Sequence, residues 1–161
     1  MDKDIVESKR VGGIVRAVKK QCYYNAFRVI MEIPEYAKAD YVEGIALSGG
    51  MLIEHGWIEK DGVIVDPSIS LDEMVYFPGL RFAGKTGLAK AIRSPRPRHT
   101  EDLPIFYRFG WGGIECPDFR AAIVAAYRHL GWEETAIRYE TYEPTYATEI
   151  TPDGRRVLVI A

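Results

Sequence analysis

Cysteine is almost missing from this chain: Cys22 and Cys116 are its two thiols in 161 residues. That scarcity excludes a disulfide framework and a cysteine-rich metal cluster, both of which need more thiols at regular spacing. Histidine is nearly as rare. His55, His99 and His129 show no His-Glu-x-x-His spacing, so no metal and no cofactor is expected. Long apolar runs are lacking too. Stretches such as Ala121–Ala126 fall far short of the roughly 20 residues a membrane-spanning helix needs. The start, Met1-Asp2-Lys3-Asp4, is charged and no apolar core follows it, so no secretory signal is read and a cytoplasmic location is the expectation. Net charge is −2, without the global basic character of nucleic-acid binders. Acidic residues are absent between Met74 and Thr100, where Arg81, Lys85, Lys90, Arg93, Arg96 and Arg98 stand. The plain expectation for this stretch is a solvated loop and helix face. Its functional alternative is an anion-facing patch using Arg81, Lys85 and Arg93.

An apolar share of 47% and this length are consistent with one domain over residues 1–161 that buries its own core. Residues 1–11 read as a polar tail and Gly12–Val18 as a short strand. A helix is expected from Cys22, because Tyr23, Ala26, Phe27, Ile30 and Met31 make one apolar face, and Pro34 disfavours its continuation. Tyr41–Leu47, Met51–Glu59 and Val63–Asp66 read as strands of an antiparallel meander. Asp61-Gly62 is a strong signal for a two-residue hairpin turn. That turn would pair Lys60 with Val63 and Glu59 with Ile64, and would bring Asp66 diagonal to His55, roughly 7–8 Å away between backbones. Residues 69–102 read as irregular and basic, with a capping box at Ser70–Glu73, a short helix over Thr86–Arg93 and a proline-stiffened connection at Ser94–Arg98. Residues 103–161 read as strand, helix and strands. Leu103–Phe109 is the first strand, and Gly110–Gly113 a loop. A helix opened by Pro117 and capped by Cys116 runs to Gly131. The remaining strands are Thr135–Tyr142, Thr145–Ile150 and Arg155–Ile160.

The chemistry lies in the order cysteine, histidine, aspartate. A helix N-terminus favours a thiolate, the reactive form of cysteine. A histidine beside it takes the thiol proton, and an aspartate orients the imidazole. Cys22, His55 and Asp66 are the candidates for these roles. The pieces Cys22-Tyr23-Tyr24-Asn25-Ala26-Phe27, Tyr41-Val42-Glu43-Gly44, His55-Gly56-Trp57-Ile58-Glu59 and Val65-Asp66-Pro67-Ser68 resemble the core of transglutaminase-like proteins of the papain superfamily. The resemblance covers about residues 20–68. It implies an α+β fold with the cysteine-bearing helix packed on an antiparallel sheet, the triad Cys22, His55 and Asp66, and thiol acyl chemistry on an amide of a peptide, protein or small molecule. Gln21 is a candidate oxyanion donor, and Asn25 and Trp57 are candidate substrate contacts.

Gly79-Leu80-Arg81-Phe82-Ala83-Gly84-Lys85-Thr86 matches the phosphate-binding pattern G-x-x-x-x-G-K-[ST]. Pro78 before it, the bulky residues inside it, and the few residues left after it for a nucleotide-binding sheet argue that the match is chance. The two rivals to an enzyme are therefore a catalytically silent module of the same fold that binds an anionic partner and, behind it, a nucleotide binder.

Overall fold

The computed structural model describes residues 1–68, 74–93, 103–109 and 116–132, and the strand backbones of 138–139, 146–150 and 156–160. The chain is α+β. Its frame is a four-stranded antiparallel sheet in the order β3-β2-β1-β4, built from β1 (Asp40–Ser48), β2 (Met51–Lys60), β3 (Val63–Val65) and β4 (Val75–Ala83). The expected hairpin is present. Lys60 pairs with Val63, Glu59 with Ile64 and Ile58 with Val65. Asp61 and Gly62 both take positive φ, 51° and 81°, as a turn matched to strand twist requires.

Side chains two apart on a strand share a face. One face of the sheet presents Tyr41 and Ile45 of β1, Ile58 of β2 and Leu80 of β4. Helix α2 (Cys22–Glu32) covers its first half, with Ala26, Val29 and Ile30 buried among Tyr41, Ile58 and Val65. Helix α4 (Pro117–His129) covers the other half, stacking Phe119, Ala122 and Ala126 with Ile45, Leu80 and Phe106. Helix α3 (Gly84–Arg93) adds Leu88 to the first cluster. Each large apolar side chain buried this way stabilises by about 1.5–3 kcal/mol. The opposite face carries a smaller cluster of Val42, Trp57 and Ile64, with Tyr76 packed against it. A three-stranded sheet follows in the order β5-β7-β6, from β5 (Arg138–Tyr139), β6 (Tyr146–Ile150) and β7 (Arg156–Ile160). The rest of the expected strand Thr135–Tyr142 lies outside the described residues, as do Ser70–Glu73, Ser94–Arg98 and Gly110–Gly113.

Four expectations are corrected. Part of the stretch read as irregular, Val75–Ala83, is the strand β4. Residues 1–11 are not a polar tail. Asp4 caps helix α1 (Ile5–Ile14) by accepting a 2.8 Å bond from the Glu7 amide. The face that α1 buries is Ser8, Val11 and Gly12, while Val6 and Ile14 are exposed, so its apolar residues do not mark its buried side. Gly12–Val18 is not a strand. Arg16, at φ 50°, ends α1, and the amides of Ala17 and Arg16 turn back to the carbonyls of Gly12 and Gly13. Leu103–Phe109 is not a strand either: Ile105–Phe109 forms a 3-10 turn, whose first amides bond a side chain of β1 instead of a neighbouring strand.

The phosphate-loop pattern also dissolves. Gly79–Ala83 is the second half of β4, with Leu80, Arg81, Phe82 and Ala83 paired to β1. A ladder strand cannot wrap a phosphate with its amides. Pro78 is tolerated because β4 is an edge strand and the register slips beside it, leaving Gly79 as the extra residue of a bulge.

Candidate active site

His55 stands on β2 opposite Gly44, and Asp66 is the first residue past β3. The two-residue turn fixes both on the Trp57 face. His55 Nε2 and Asp66 Oδ2 are 2.8 Å apart. With Nε2 engaged, Nδ1 is the ring nitrogen left for a second partner. Cys22 is near enough to act on the imidazole by hydrogen bond and by charge, both of which raise its pKa. The three sequence candidates thus meet.

Burial works against charging the His55 ring, yet hydrogen bonds and charge from Asp66 and Cys22 outweigh it and raise its pKa to about 9. For Asp66 burial also disfavours the charge, and the bond from His55 leads the influences that hold its pKa below the ordinary value. His55 is 2% exposed and Asp66 1%, whereas Cys22 is partly open. Cys22 is thus the most accessible of the three, while His55 and Asp66 are sealed from solvent.

Helix α2 reaches the sheet because of one residue. A Cβ placed on Gly56 would sit 2.7 Å from Tyr23 Cδ1 and 3.1 Å from Tyr23 Cα. Gly56→Ala is expected to push the first turn of α2 away. The expected cost is about 1–3 kcal/mol, read in a denaturant melt, with a slower reaction of Cys22 towards an alkylating probe. An unchanged probe rate would mean that the helix start is not held by this contact.

The weaker candidates fare differently. Gln21 occupies the cap position of α2, its carbonyl accepting the Asn25 amide, while its side chain makes no capping bond and is exposed beside Cys22. Asn25 is buried and fully engaged: its amide group bonds both the N–H and the carbonyl of Val18 and donates to Ser68 Oγ at 2.9 Å. It ties the approach to α2 to the segment after Asp66. Trp57 is fully buried, stacked 6.3 Å from the His55 ring, so it supports the imidazole from within the core. Of the expected anion patch, Arg81 stands apart from Lys85 and Arg93, which line one pocket. Arg81 grips Glu59 through a two-pronged ion pair across the sheet. Lys85 donates to the Met31 carbonyl at 2.9 Å and borders a shallow pocket on α3 with Lys90 and Arg93.

Four residues close to the site were not among the sequence candidates. Lys3 Nζ is 3.8 Å from Asp66 Oδ2, and the Tyr76 hydroxyl donates to the same oxygen at 2.8 Å. Ser8 Oγ accepts the Asp66 amide. Glu43, fully buried on β1, accepts bonds of 2.8 Å each from the Tyr41 hydroxyl and the amides of Ile105 and Phe106. Tyr23 packs edge-on against Phe106, and its hydroxyl has no partner among the described residues. Among the described residues no group of three or more His, Cys, Asp or Glu could hold a metal ion, and no helix is long and apolar enough to cross a membrane.

No family model, curated protein or solved structure matches this chain. Its class is defined by its own geometry: an α+β chain that presents a partly open thiol to a buried histidine–aspartate pair.

Proposed function

We propose that this chain is a thiol-dependent hydrolase or acyltransferase acting on amide bonds. The observation that carries the reading is the buried His55 imidazole, bonded to Asp66 through Nε2 and close enough to Cys22 for the thiol to shift its pKa. Cys22 sulfur adds to the carbonyl carbon while His55 holds the thiol proton. The C–N bond then breaks, His55 delivers that proton to the leaving amine, and a thioester remains on Cys22. Water or a second amine attacks the thioester with His55 accepting its proton, and the thiol is regenerated as that proton returns. Asp66 keeps the imidazole oriented and compensates its positive charge. The Cys22 backbone amide and the exposed Gln21 side chain are the donors proposed for the developing oxyanion. The resemblance of residues 20–68 to transglutaminase-like proteins supports a peptide, a protein side-chain amide or a small amide as substrate.

The test is formation of the covalent intermediate. Incubation with p-nitrophenyl acetate followed by intact-mass analysis is expected to show one acyl adduct at Cys22, absent from Cys22→Ala and slowed at least about tenfold in His55→Ala. Acylation that His55→Ala leaves unchanged would sink the proposal and leave a catalytically silent module on the same fold.

A further inference from the structure

Asp66 has more partners than a lone orienting acid requires. Its Oδ2 receives His55 Nε2 at 2.8 Å and the Tyr76 hydroxyl at 2.8 Å, with Lys3 Nζ at 3.8 Å. Its Oδ1 accepts the Ser68 amide at 2.9 Å. The Lys3 side chain is 4% exposed, with its ammonium 6.0 Å from the centre of the Tyr76 ring. A lysine so deep is held there by structure. The N-terminal segment runs parallel to β3: the Asp4 amide donates to the Ile64 carbonyl at 2.8 Å, and the Ile64 amide to the Asp2 carbonyl at 2.9 Å. Ser8 of α1 then takes the Asp66 amide, and Gly12 lets α1 close on Pro67, whose carbonyl would be 2.8 Å from a Cβ there.

We propose that Lys3 and Tyr76 are positioning residues that set the basicity of His55 through Asp66, so that the N-terminal segment is an integral part of the site. A carboxylate oxygen shared among several donors holds each proton less strongly. Lys3 and Tyr76 draw charge on Oδ2 away from the His55 N–H and weaken its pull on the imidazolium. The Lys3 ammonium also opposes a second positive charge nearby. Both effects have one sign: they keep His55 less basic than Asp66 alone would make it. A base held too firmly in its protonated form returns its proton to a leaving amine poorly. The titratable groups facing the pair are Cys22 from α2, Lys3 from the N-terminal segment and Tyr76 from β4. Glu59, on the same face of β2, is already paired with Arg81.

This inference rests on the proposed function only for its use, because its test needs no turnover. In the Cys22→Ala chain, the titration of the His55 ring is followed by two-dimensional NMR and assigned by its loss in His55→Gln. Adding Lys3→Met or Tyr76→Phe is expected to raise the midpoint by about half to one pH unit, while Lys3→Arg leaves it in place. A purely structural role would lower stability without moving the midpoint upward. A midpoint that stays or falls in the folded variants overturns the inference. Should Lys3→Met not fold, Tyr76→Phe removes only one oxygen from a half-buried ring and decides the matter. An upward shift in a chain that forms no acyl adduct sustains the positioning role and removes the enzyme. An adduct without the shift does the reverse.

Discussion

Asp66→Ala is expected to have the largest effect on chemistry. It removes the bond and the charge that override burial at His55, so the ring should fall from about 9 by about two pH units or more. Acylation of Cys22 should drop about 10²–10⁴-fold, the range for losing an oriented acid–base group. The same pair shapes stability. The folded pKa of His55 is raised from 6.5 to about 9, so its stabilisation is full below 6.5 and is lost as pH rises through 9. The difference between those values corresponds to about 3 kcal/mol. Asp66 has the opposite window: its folded pKa lies below 3.8, so its contribution is present above 3.8 and lost as pH falls through the lower folded value. Urea unfolding across pH should therefore show the parent chain weakening on the alkaline side and Asp66→Ala flat there. A parent curve that is flat between neutral pH and the alkaline limb would mean that the two groups do not share charge.

Glu43→Leu is expected to be the costliest substitution for folding. It leaves the Tyr41 hydroxyl and the amides of Ile105 and Phe106 buried without an acceptor. Burial nevertheless disfavours the Glu43 charge more than these donors favour it, and its pKa rises from 4.5 to about 7. For an acid raised in this way, the folded state holds the proton more tightly. Stability is greatest below 4.5 and declines as pH rises to about 7, again by about 3 kcal/mol. The loss on Glu43→Leu should thus be about 3–5 kcal/mol at about pH 5 and shrink to about 1–2 kcal/mol at about pH 8. Unfolding measured at both pH values checks this, and a penalty that grows with pH would contradict it. Because the 105–109 turn packs beside Tyr23, the variant should also loosen the wall next to Cys22.

The legible part of this site was local. Asp61-Gly62 admits few turn geometries, and a two-residue turn fixes the register that puts His55 and Asp66 on one face. The α2 stripe from Tyr23 to Met31 gave the helix and therefore the setting of Cys22. What escaped was non-local. Lys3 looks like part of a charged tail because its partner lies on β3, far along the chain. The signal that was there is Asp4-x-x-Glu7, a cap pattern masked by a helix whose buried positions are serine, valine and glycine. Leu103–Phe109 is rich in strand-favouring aromatic residues, yet its first amides are claimed by a side chain, which composition cannot register. Glu43 could have been caught. A lone acid inside the otherwise apolar run from Tyr41 to Leu47 has to find donors if it is buried.

The hairpin also orders assembly in time. The His55–Asp66 bond spans 11 positions of the chain, whereas the bonds from Glu43 to Ile105 and Phe106 span 62 and 63. Hairpins close in about 1–10 μs, and contacts between distant segments wait on larger loops. His55 and Asp66 are therefore expected to meet while the chain is still largely open. The wall beside Cys22 is expected to close after them, because its contacts span the longer stretch of chain.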